Sequence, residues 1–338
     1  MLILSMGFLV CRLKTYRVPR SSVGAVVATA ALLCAGAACG QGYPTKPIRL
    51  VTAEAGGGND FAARLIVQGL AGSLGQQMVV DNRGGAGGQI AVEIVARAQP
   101  DGYTLLLYAN NIWLIPLVRS KVPYDPVRDF APITWAARSP NTVVVHPSLP
   151  VKSVEDLIAL AKARPGELNY GSGGTGATTH LAVELFKSMT GVNIVRVPFK
   201  GNAPALNALI GGQIQLMFAT AGSVAPHLKS GRLRALAITS AQPSPLAPGL
   251  PTVAAAGLPG YESISIYGVF APARTSPAIV KRLNEEIVRV LARADVKEKF
   301  LASGVESVGS SPELLAATMK SEIARMGKVI RDAGIRED

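Results

Sequence analysis

Beyond residue 39 the sequence has no cysteine; its three stand at positions 11, 34 and 39. An internal disulfide and a thiolate metal centre are therefore excluded from the body of the chain. Histidine is equally scarce. His146, His180 and His227 stand alone, without the short spacing of a metal-binding pair. No run of five or more Lys/Arg occurs, so an electrostatic tract for nucleic acid is not indicated. No G-x-x-x-x-G-K-[S/T] occurs either, which excludes a P-loop. Ala71-Gly-Ser73-Leu-Gly75 has the outline of a nucleophile elbow, but it falls at the end of a helical pattern rather than between strand and helix. Nothing reads as a paired-carboxylate active site: Glu54 and Asp60 are close in sequence but straddle a loop. No catalytic residue, metal ligand or cofactor is expected.

What is present begins with the N-terminus. Residues 1–22 hold Arg12, Lys14, Arg17 and Arg20 and no acid. An uncharged, mostly apolar stretch follows from Val23 to Ala37, and Ala35-Gly-Ala37 fits an A-x-A cleavage site. A spanning helix needs about 20 apolar residues, and this run is shorter. Residues 1–38 therefore read as a secretory signal peptide, with export to the periplasm. Gly36-Ala-Ala-Cys39 is similar to a lipoprotein signal, which leaves two outcomes open: a lipid anchor at Cys39, or soluble release. The net charge of +12 drops to +8 once the four basic residues of the leader are removed. The remainder is spread along the chain and mildly favours small anionic partners. With 49% hydrophobic residues in 338, the chain can bury a sizeable core in two lobes.

The exported part alternates strand and helix patterns. "PIRLVTA", "QMVVDN", "YTLLLYA", "NTVVVHP", "LNYGS", "IVRVPF", "QIQLMFA", "LRALAITS" and "YGVFAP" read as strands. Helical spacing runs from Asp60 to about Leu74 and through "QIAVEIVARA". Ser153 opens "SVEDLIALAKA" as an N-cap with acids in the first turn. "TTHLAVELFKSMTG" ends on Gly191. "APALNALIGG" is stopped by two glycines. Ser276-Pro277 and Ser311-Pro312 place serine at N-cap and proline at N1 of two C-terminal helices. Repeated strand–helix units predict an α/β protein, each lobe a mostly parallel sheet flanked by helices.

Two turns stand out. "AEAGGGNDFAARL" and "NYGSGGTGATTHLAVELF" each pass from strand through glycines into a helix. In α/β sheets ligands gather at the carboxyl ends of strands, beside helix N-termini. The first amides of a helix lack partners and carry about half a positive charge. Glycine lets the backbone approach a ligand closely. Each turn is thus either an anion cradle, the first capped by Asn59 or Asp60, or simply a tight βα connection. "NRGGAGG" at 82–88 is a third glycine cluster and reads as a flexible loop before a helix. His180, near a helix start, has either a ligand-contacting or a solvent or capping role.

With these turns in place, the chain resembles Bug-type (TctC-like) solute-binding receptors of tripartite tricarboxylate transporters. The resemblance is carried by "YPTKPIRLV", "GGGNDFAARL", "DNRGGAGGQIA", "PDGYTLLL", "YDPVRDFAPIT", "VHPSLPVKSVEDLIALAKARPGELNYGSGGTG", "VPFKGNAPALNALIGGQIQLMF", "GRLRALAITS" and "PTVAAAGLPGYE". They stand in family order over about 43–335. The resemblance implies a two-lobed periplasmic binding protein fold (type II-like) with the ligand cleft between lobes. Lobe one would combine 43–145 with 266–338, and lobe two would be 146–265. The chain would cross near Val143–Pro147 and again near Glu262–Gly268. Carried over by position, Ala55, Gly56, Gly57, Gly58, Asn59 and Asp60 would form the first ligand loop. Ser172, Gly173, Gly174 and Thr175, with Gly176, Ala177, Thr178 and Thr179, would form the second. Asn110, Phe199, Lys200, Thr220 and Tyr267 would line the cleft. The implied ligand is a small organic acid, and the implied partners are membrane transporter subunits or a sensor domain, with the receptor a monomer. An exported enzyme with a glycine-rich anion site is the reading from another class; it needs a nucleophile or acid–base pair that the sequence does not offer. One departure bears on the ligand. The family's first loop commonly reads Pro-Phe-x-x-Gly-Gly, whereas here Thr52-Ala-Glu-Ala-Gly-Gly-Gly places Glu54 near the expected carboxylate site. Either Glu54 points away, or the ligand is an amide, amine or zwitterion.

Overall fold

The computed structural model describes residues 42–336 apart from 54, 56, 57, 86, 87 and 174. The expected signal segment and Cys39 lie outside the described residues. The first strands and helices are β1 (Ile48–Thr52), α1 (Gly58–Gly69), β2 (Met78–Asn82), α2 (Gln89–Ala96), β3 (Thr104–Ala109) and α3 (Asn111–Val118). The long strand β4 (Phe130–Val145) follows, then α4 (Val154–Ala163), β5 (Asn169–Ser172), α5 (Thr178–Thr190), β6 (Val195–Pro198) and α6 (Asn202–Ile210). The chain continues through β7 (Leu216–Thr220), α7 (Ala221–Lys229), β8 (Arg234–Ile238) and β9 (Ile264–Pro272). It ends with α8 (Pro277–Ala292), α9 (Ala294–Ala302), β10 (Glu306–Ser307) and α10 (Pro312–Asp332).

These strands form two sheets that share β4. The first runs β2-β1-β3-β9-β4-β10, and the second runs β8-β4-β7-β5-β6. The strand–helix units pair in parallel, β1 with β2 and β3, and β5 with β6 and β7. The crossing strands pair antiparallel, so each sheet is mixed: a parallel βα core carries antiparallel strands where the chain passes between sheets. Phe130 to Pro140 pairs with β9, and Asn141 to Val145 pairs with β7 and β8. Pro140 stands at the change of partner. It has no N–H to donate to a ladder, which suits the end of one pairing. The return occurs after Thr239, whose N–H bonds Asn141 O and whose carbonyl accepts from Ser263 N–H (both 2.9 Å).

Local signals explain several elements. Ser153 accepts from Asp156 N–H at 3.0 Å while the Asp156 carboxylate accepts from Ser153 N–H at 3.1 Å, a reciprocal capping box. Ser311 accepts from Leu314 N–H. Gly191 closes α5 with φ 71°, the left-handed geometry glycine allows. Ser276 precedes Pro277 as expected but makes no side-chain cap bond. Few aromatics are present, and they cluster. Trp113, Phe270, Phe130 and Tyr124 meet edge-to-face under the first sheet, and Phe186, Phe218 and Tyr261 under the second. Each edge-to-face pair adds about 0.5–1.5 kcal/mol to the area it buries. Among the described residues no helix is long and apolar enough to cross a membrane.

Candidate functional site

The carboxyl ends of β1, β3, β5, β6 and β7 all lead into helices, and the first residues of those helices meet around one cavity of about 440 Å³. Helix α1 contributes Gly58 and Asn59, and α3 contributes Asn111. From the second sheet come Ala177 and Thr178 at the start of α5, Asn202 at the start of α6, and Thr220, Gly222 and Ser223 at the start of α7. The crossing strands supply Ser139, Ser265 and Tyr267, and the turn after α9 supplies Ser303, Gly304 and Val305. Five helix N-termini therefore point their partly positive ends at one volume. Where the cap residue is described, on α3, α5, α6 and α7, its side chain makes no bond to the free amides. None of the described lining residues carries a formal charge.

Asn59 and Asn111 line the cavity, and their Oδ1 atoms are buried without a hydrogen-bond partner among the described residues. The Tyr267 hydroxyl is kept neutral by burial, which raises its pKa, and it lies so near Gly58 that a Cβ there would come within 2.6 Å of it. Ser265 Oγ donates to Thr178 Oγ1 at 3.2 Å, tying the crossing strand β9 to the second glycine-rich turn. Ser139 Oγ donates to Gly304 O at 2.9 Å. Gly304, with φ 74°, packs its backbone on Gly222: a Cβ on either would fall 2.6–3.0 Å from the other's Cα. This arrangement binds through amides, hydroxyls and oriented dipoles. Among the described residues no cluster of three or more His, Cys, Asp or Glu could hold a metal ion.

Of the residues expected from the sequence, Gly58, Asn59, Ala177, Thr178, Thr220 and Tyr267 line this cavity. Ala55 is exposed in the turn before α1, outside the lining. Gly56, Gly57, Gly174 and Glu54 lie outside the described residues. Asp60 is buried behind the turn, ion-paired with Arg64 at 2.9 Å and accepting from Asn82 Nδ2 at 2.9 Å. Its carboxylate sits in the first turn of α1, where the helix dipole favours it. Asn110 is turned away from the cavity, donating to Ile264 O and to the Glu322 carboxylate. That carboxylate, its pKa raised by burial, also accepts from Trp113 Nε1 at 2.7 Å. Ser172, Gly173 and Thr175 are held by Arg196 and are not among the described cavity-lining residues. Thr179 Oγ1 donates to Asn202 Oδ1. Phe199 packs on the core of the second sheet, and Lys200 is exposed.

Gly176 donates its N–H to His180 Nδ1 at 3.2 Å. His180 thus secures the turn rather than lining the cavity. Burial first, then the nearby Arg196 charge, push its pKa down to about 4, so the ring is a neutral acceptor at physiological pH.

Sequence reasoning did not find Ala109, Asn111, Ser139, Asn202, Gly222, Ser223, Ser265, Ser303, Gly304 or Val305. A signal existed for three of them. Asn202 follows "FKG" before a helical pattern, and Gly222 and Ser223 follow strand β7, the same strand-to-helix junction that singled out the two glycine-rich turns.

The sequence from 62 to 335 matches the family described as the tripartite tricarboxylate transporter family receptor. Protein BugT of Bordetella pertussis is 36% identical over 318 residues, 93% of this chain and 97% of BugT. Among solved structures, R. palustris Rpa4515 with adipate is 42% identical, with a TM-score of 0.75 over 87% of this chain and 99% of that one. MatC from Rhodopseudomonas palustris with bound malate is 31% identical, with a TM-score of 0.69 over 85% of this chain and 100% of that one. The two-lobed α/β architecture, the cleft ringed by helix N-termini and the match over most of its length agree: the chain belongs to the tripartite tricarboxylate transporter receptor family of periplasmic solute-binding proteins.

Proposed function

We propose that the cleft captures a small organic acid in its ionised form and that the chain delivers it, without turnover, to the membrane subunits of a tripartite transporter. The observation that carries this reading is the convergence of five helix N-termini on a cavity whose described lining residues carry no formal charge. Such a surface favours an anion, and its described residues offer no side-chain counter-ion. The bound adipate and malate of the two similar structures support the ligand class. Gly58, Asn59, Ala177, Thr178, Thr220 and Tyr267 are the ligand-contacting residues of this reading, together with Asn111, Asn202 and Ser223.

The chain acts as a monomer whose two lobes close on the solute by a hinge. The exchange of β4 partners at Pro140–Asn141 and the return at Ser263–Ile264 support hinge crossings there, a few residues ahead of the 145/146 and 265/266 boundaries that the resemblance implied. Residues 1–38 act as the export signal.

Ligand-dependent thermal stabilisation tests the reading. The exported protein is unfolded and refolded to remove any carried solute, then heated with mono-, di- and tricarboxylates, aromatic acids, amino acids and the matching amides. A ligand at 100 times its Kd stabilises by about 2.7 kcal/mol, a clear shift in midpoint. A selective shift with a carboxylate is expected. A selective shift with an amide or amine alone would overturn the acid assignment. No shift with any compound, from protein shown to be folded, would overturn the receptor reading for this panel of solutes.

A further inference from the structure

The described lining of this anion cleft holds no cation, yet a guanidinium stands behind it. Arg196 projects from β6 and is partly buried. Its Nε donates to Ser172 Oγ at 2.9 Å, one terminal nitrogen to Gly173 O at 3.0 Å and the other to Thr175 Oγ1 at 3.3 Å. Three bonds from one planar fork thus hold three positions of the turn that leads into α5. Arg196 is not among the cavity-lining residues, while Ala177 and Thr178 at the end of the same turn are. The side chain therefore grips the turn from outside the cleft.

Among the described residues no carboxylate comes within 4.0 Å of this guanidinium. Glu184 is the acid of that neighbourhood, and it is already committed: Lys187 Nζ lies 2.9 Å from it and the Tyr170 hydroxyl donates to it at 2.6 Å. A part-buried arginine normally finds a carboxylate, because a charge removed from water without a counter-charge is costly. Here only neutral oxygens satisfy the donors, and the net positive charge is left over. Its field reaches through the turn. Arg196 is one of the causes that hold His180 neutral, and neutral His180 is what accepts the Gly176 N–H.

We propose that Arg196 is the counter-charge of the cleft: a positioning residue that sets the shape of the β5–α5 turn and selects an ionised carboxylate over its neutral amide. The inference rests on the reading of the cleft as an organic-acid site. A bound carboxylate supplies, across the turn, the negative charge that no side chain supplies. A fork that fixes three oxygens on the outer face leaves the inner face to the ligand. Because the charge is set one layer back, the carboxylate need not form a direct ion pair to benefit from it.

The test compares wild type, Arg196→Gln and Arg196→Lys, each unfolded and refolded, in calorimetric titrations with adipate, malate, adipamide and malamide at two salt concentrations. A unit charge roughly 10 Å from a carboxylate, at an effective dielectric of about 20, is worth on the order of tenfold in affinity. Arg196→Gln loses both the charge and the fork, so it is expected to weaken the tighter of the two acids about tenfold more than its amide, and to flatten the salt dependence of acid binding. Arg196→Lys keeps the charge and loses the fork, so the acid-to-amide ratio is expected to survive while both ligands weaken. Equal weakening of acid and amide in Arg196→Gln would make the residue a structural brace and overturn the proposal. If Arg196→Gln does not fold, a collapse of the acid-to-amide ratio in Arg196→Lys would overturn it, and a preserved ratio would support it. Wild-type protein that binds neither acid would overturn the organic-acid reading for these probes and remove the basis for assigning Arg196. Acid binding in wild type with an unchanged ratio in Arg196→Gln would overturn the role of Arg196 alone.

Discussion

Replacing Gly58 by alanine should separate binding from stability. Gly58 opens α1 and lines the cleft, and a Cβ at this position would sit 2.6 Å from the Tyr267 hydroxyl and 3.3 Å from its Cζ. Ordinary contact begins near 3.4 Å, so the hydroxyl must retreat by about 0.8 Å. The backbone of Gly58 is helical and needs no special φ, so alanine suits the helix and limits the unfolded chain. The expected change in unfolding stability without ligand lies between zero and a gain of about 1 kcal/mol. Affinity moves the other way. A hydrogen bond to a charged group contributes about 1.5–3 kcal/mol, so displacing the Tyr267 hydroxyl from a carboxylate should weaken binding about ten- to hundredfold. Tyr267→Phe should lose the same bond while leaving Gly58 alone. The two substitutions act through one atom, so the double variant should be no weaker than either single one. The assay is calorimetric titration of refolded protein with adipate or malate, beside a ligand-free thermal melt. Additive losses in the double variant would refute the shared mechanism, and unchanged affinity in both single variants would remove Tyr267 from the ligand site.

Two further outcomes follow from the same geometry. The unfolded His180 imidazole takes up a proton near pH 6.5 and the folded one only near pH 4, so between these values the unfolded state holds more protons and acid favours unfolding. The contribution is complete above pH 6.5 and falls by up to about 3 kcal/mol on the way to pH 4; denaturant titrations of wild type and His180→Gln should converge over that window, and parallel pH profiles would contradict the neutral, buried ring. Gly304→Ala combines a left-handed backbone with a collision on Gly222 and should cost about 2–4 kcal/mol, whereas Gly249→Ala, with φ 82° and open space around it, should cost only the backbone part of about 1–2 kcal/mol. Equal losses in the two variants, read from thermal melts, would mean that the Gly222–Gly304 contact yields without cost.

The alternation of strands and helices was legible because its signals are local. Ser153 with Asp156, Gly191, and the proline at N1 of α8 and α10 announce helix ends within four residues. The helices that sequence reasoning missed lack such signals. α3 is apolar on nearly every side and contains Pro116, α7 contains Gly222 and Pro226, and α9 (Ala294–Ala302) has Arg293 rather than a capping residue at its N-cap. These helices are held by the helices and strands they pack on rather than by propensity; α3, for example, packs chiefly on α10. β4 was recognised only in its second part, "NTVVV", because Pro132 and Pro140 interrupt the first. Pro132 sits at a register shift and Pro140 at the exchange of partners, the places in a sheet where proline is tolerated.

The site was half legible for the same reason. A strand followed by glycines and a helix is a local pattern, and it located the first and second turns. Ser139, Ser265 and the 303–305 turn reach the cleft only because β4 and β9 cross between sheets, a consequence of topology that no short window contains.

The topology also bears on how the cleft works. A helix N-terminus stabilises a nearby anion by about 0.3–1 kcal/mol, so five of them supply about 2–5 kcal/mol. Micromolar capture needs about 8 kcal/mol. Most of the difference must come from directional hydrogen bonds and from exclusion of water, beyond the roughly tenfold proposed for Arg196, and these require both sets of helices at once: α1 and α3 from the first sheet, α5, α6 and α7 from the second. Either set alone attracts the solute weakly. An ion pair with a lining lysine or arginine would hold the solute on one set even with the other withdrawn. If the lobes close on the solute as proposed, a described lining without formal charge would tie retention to closure and release to opening, as handing cargo to a membrane partner requires.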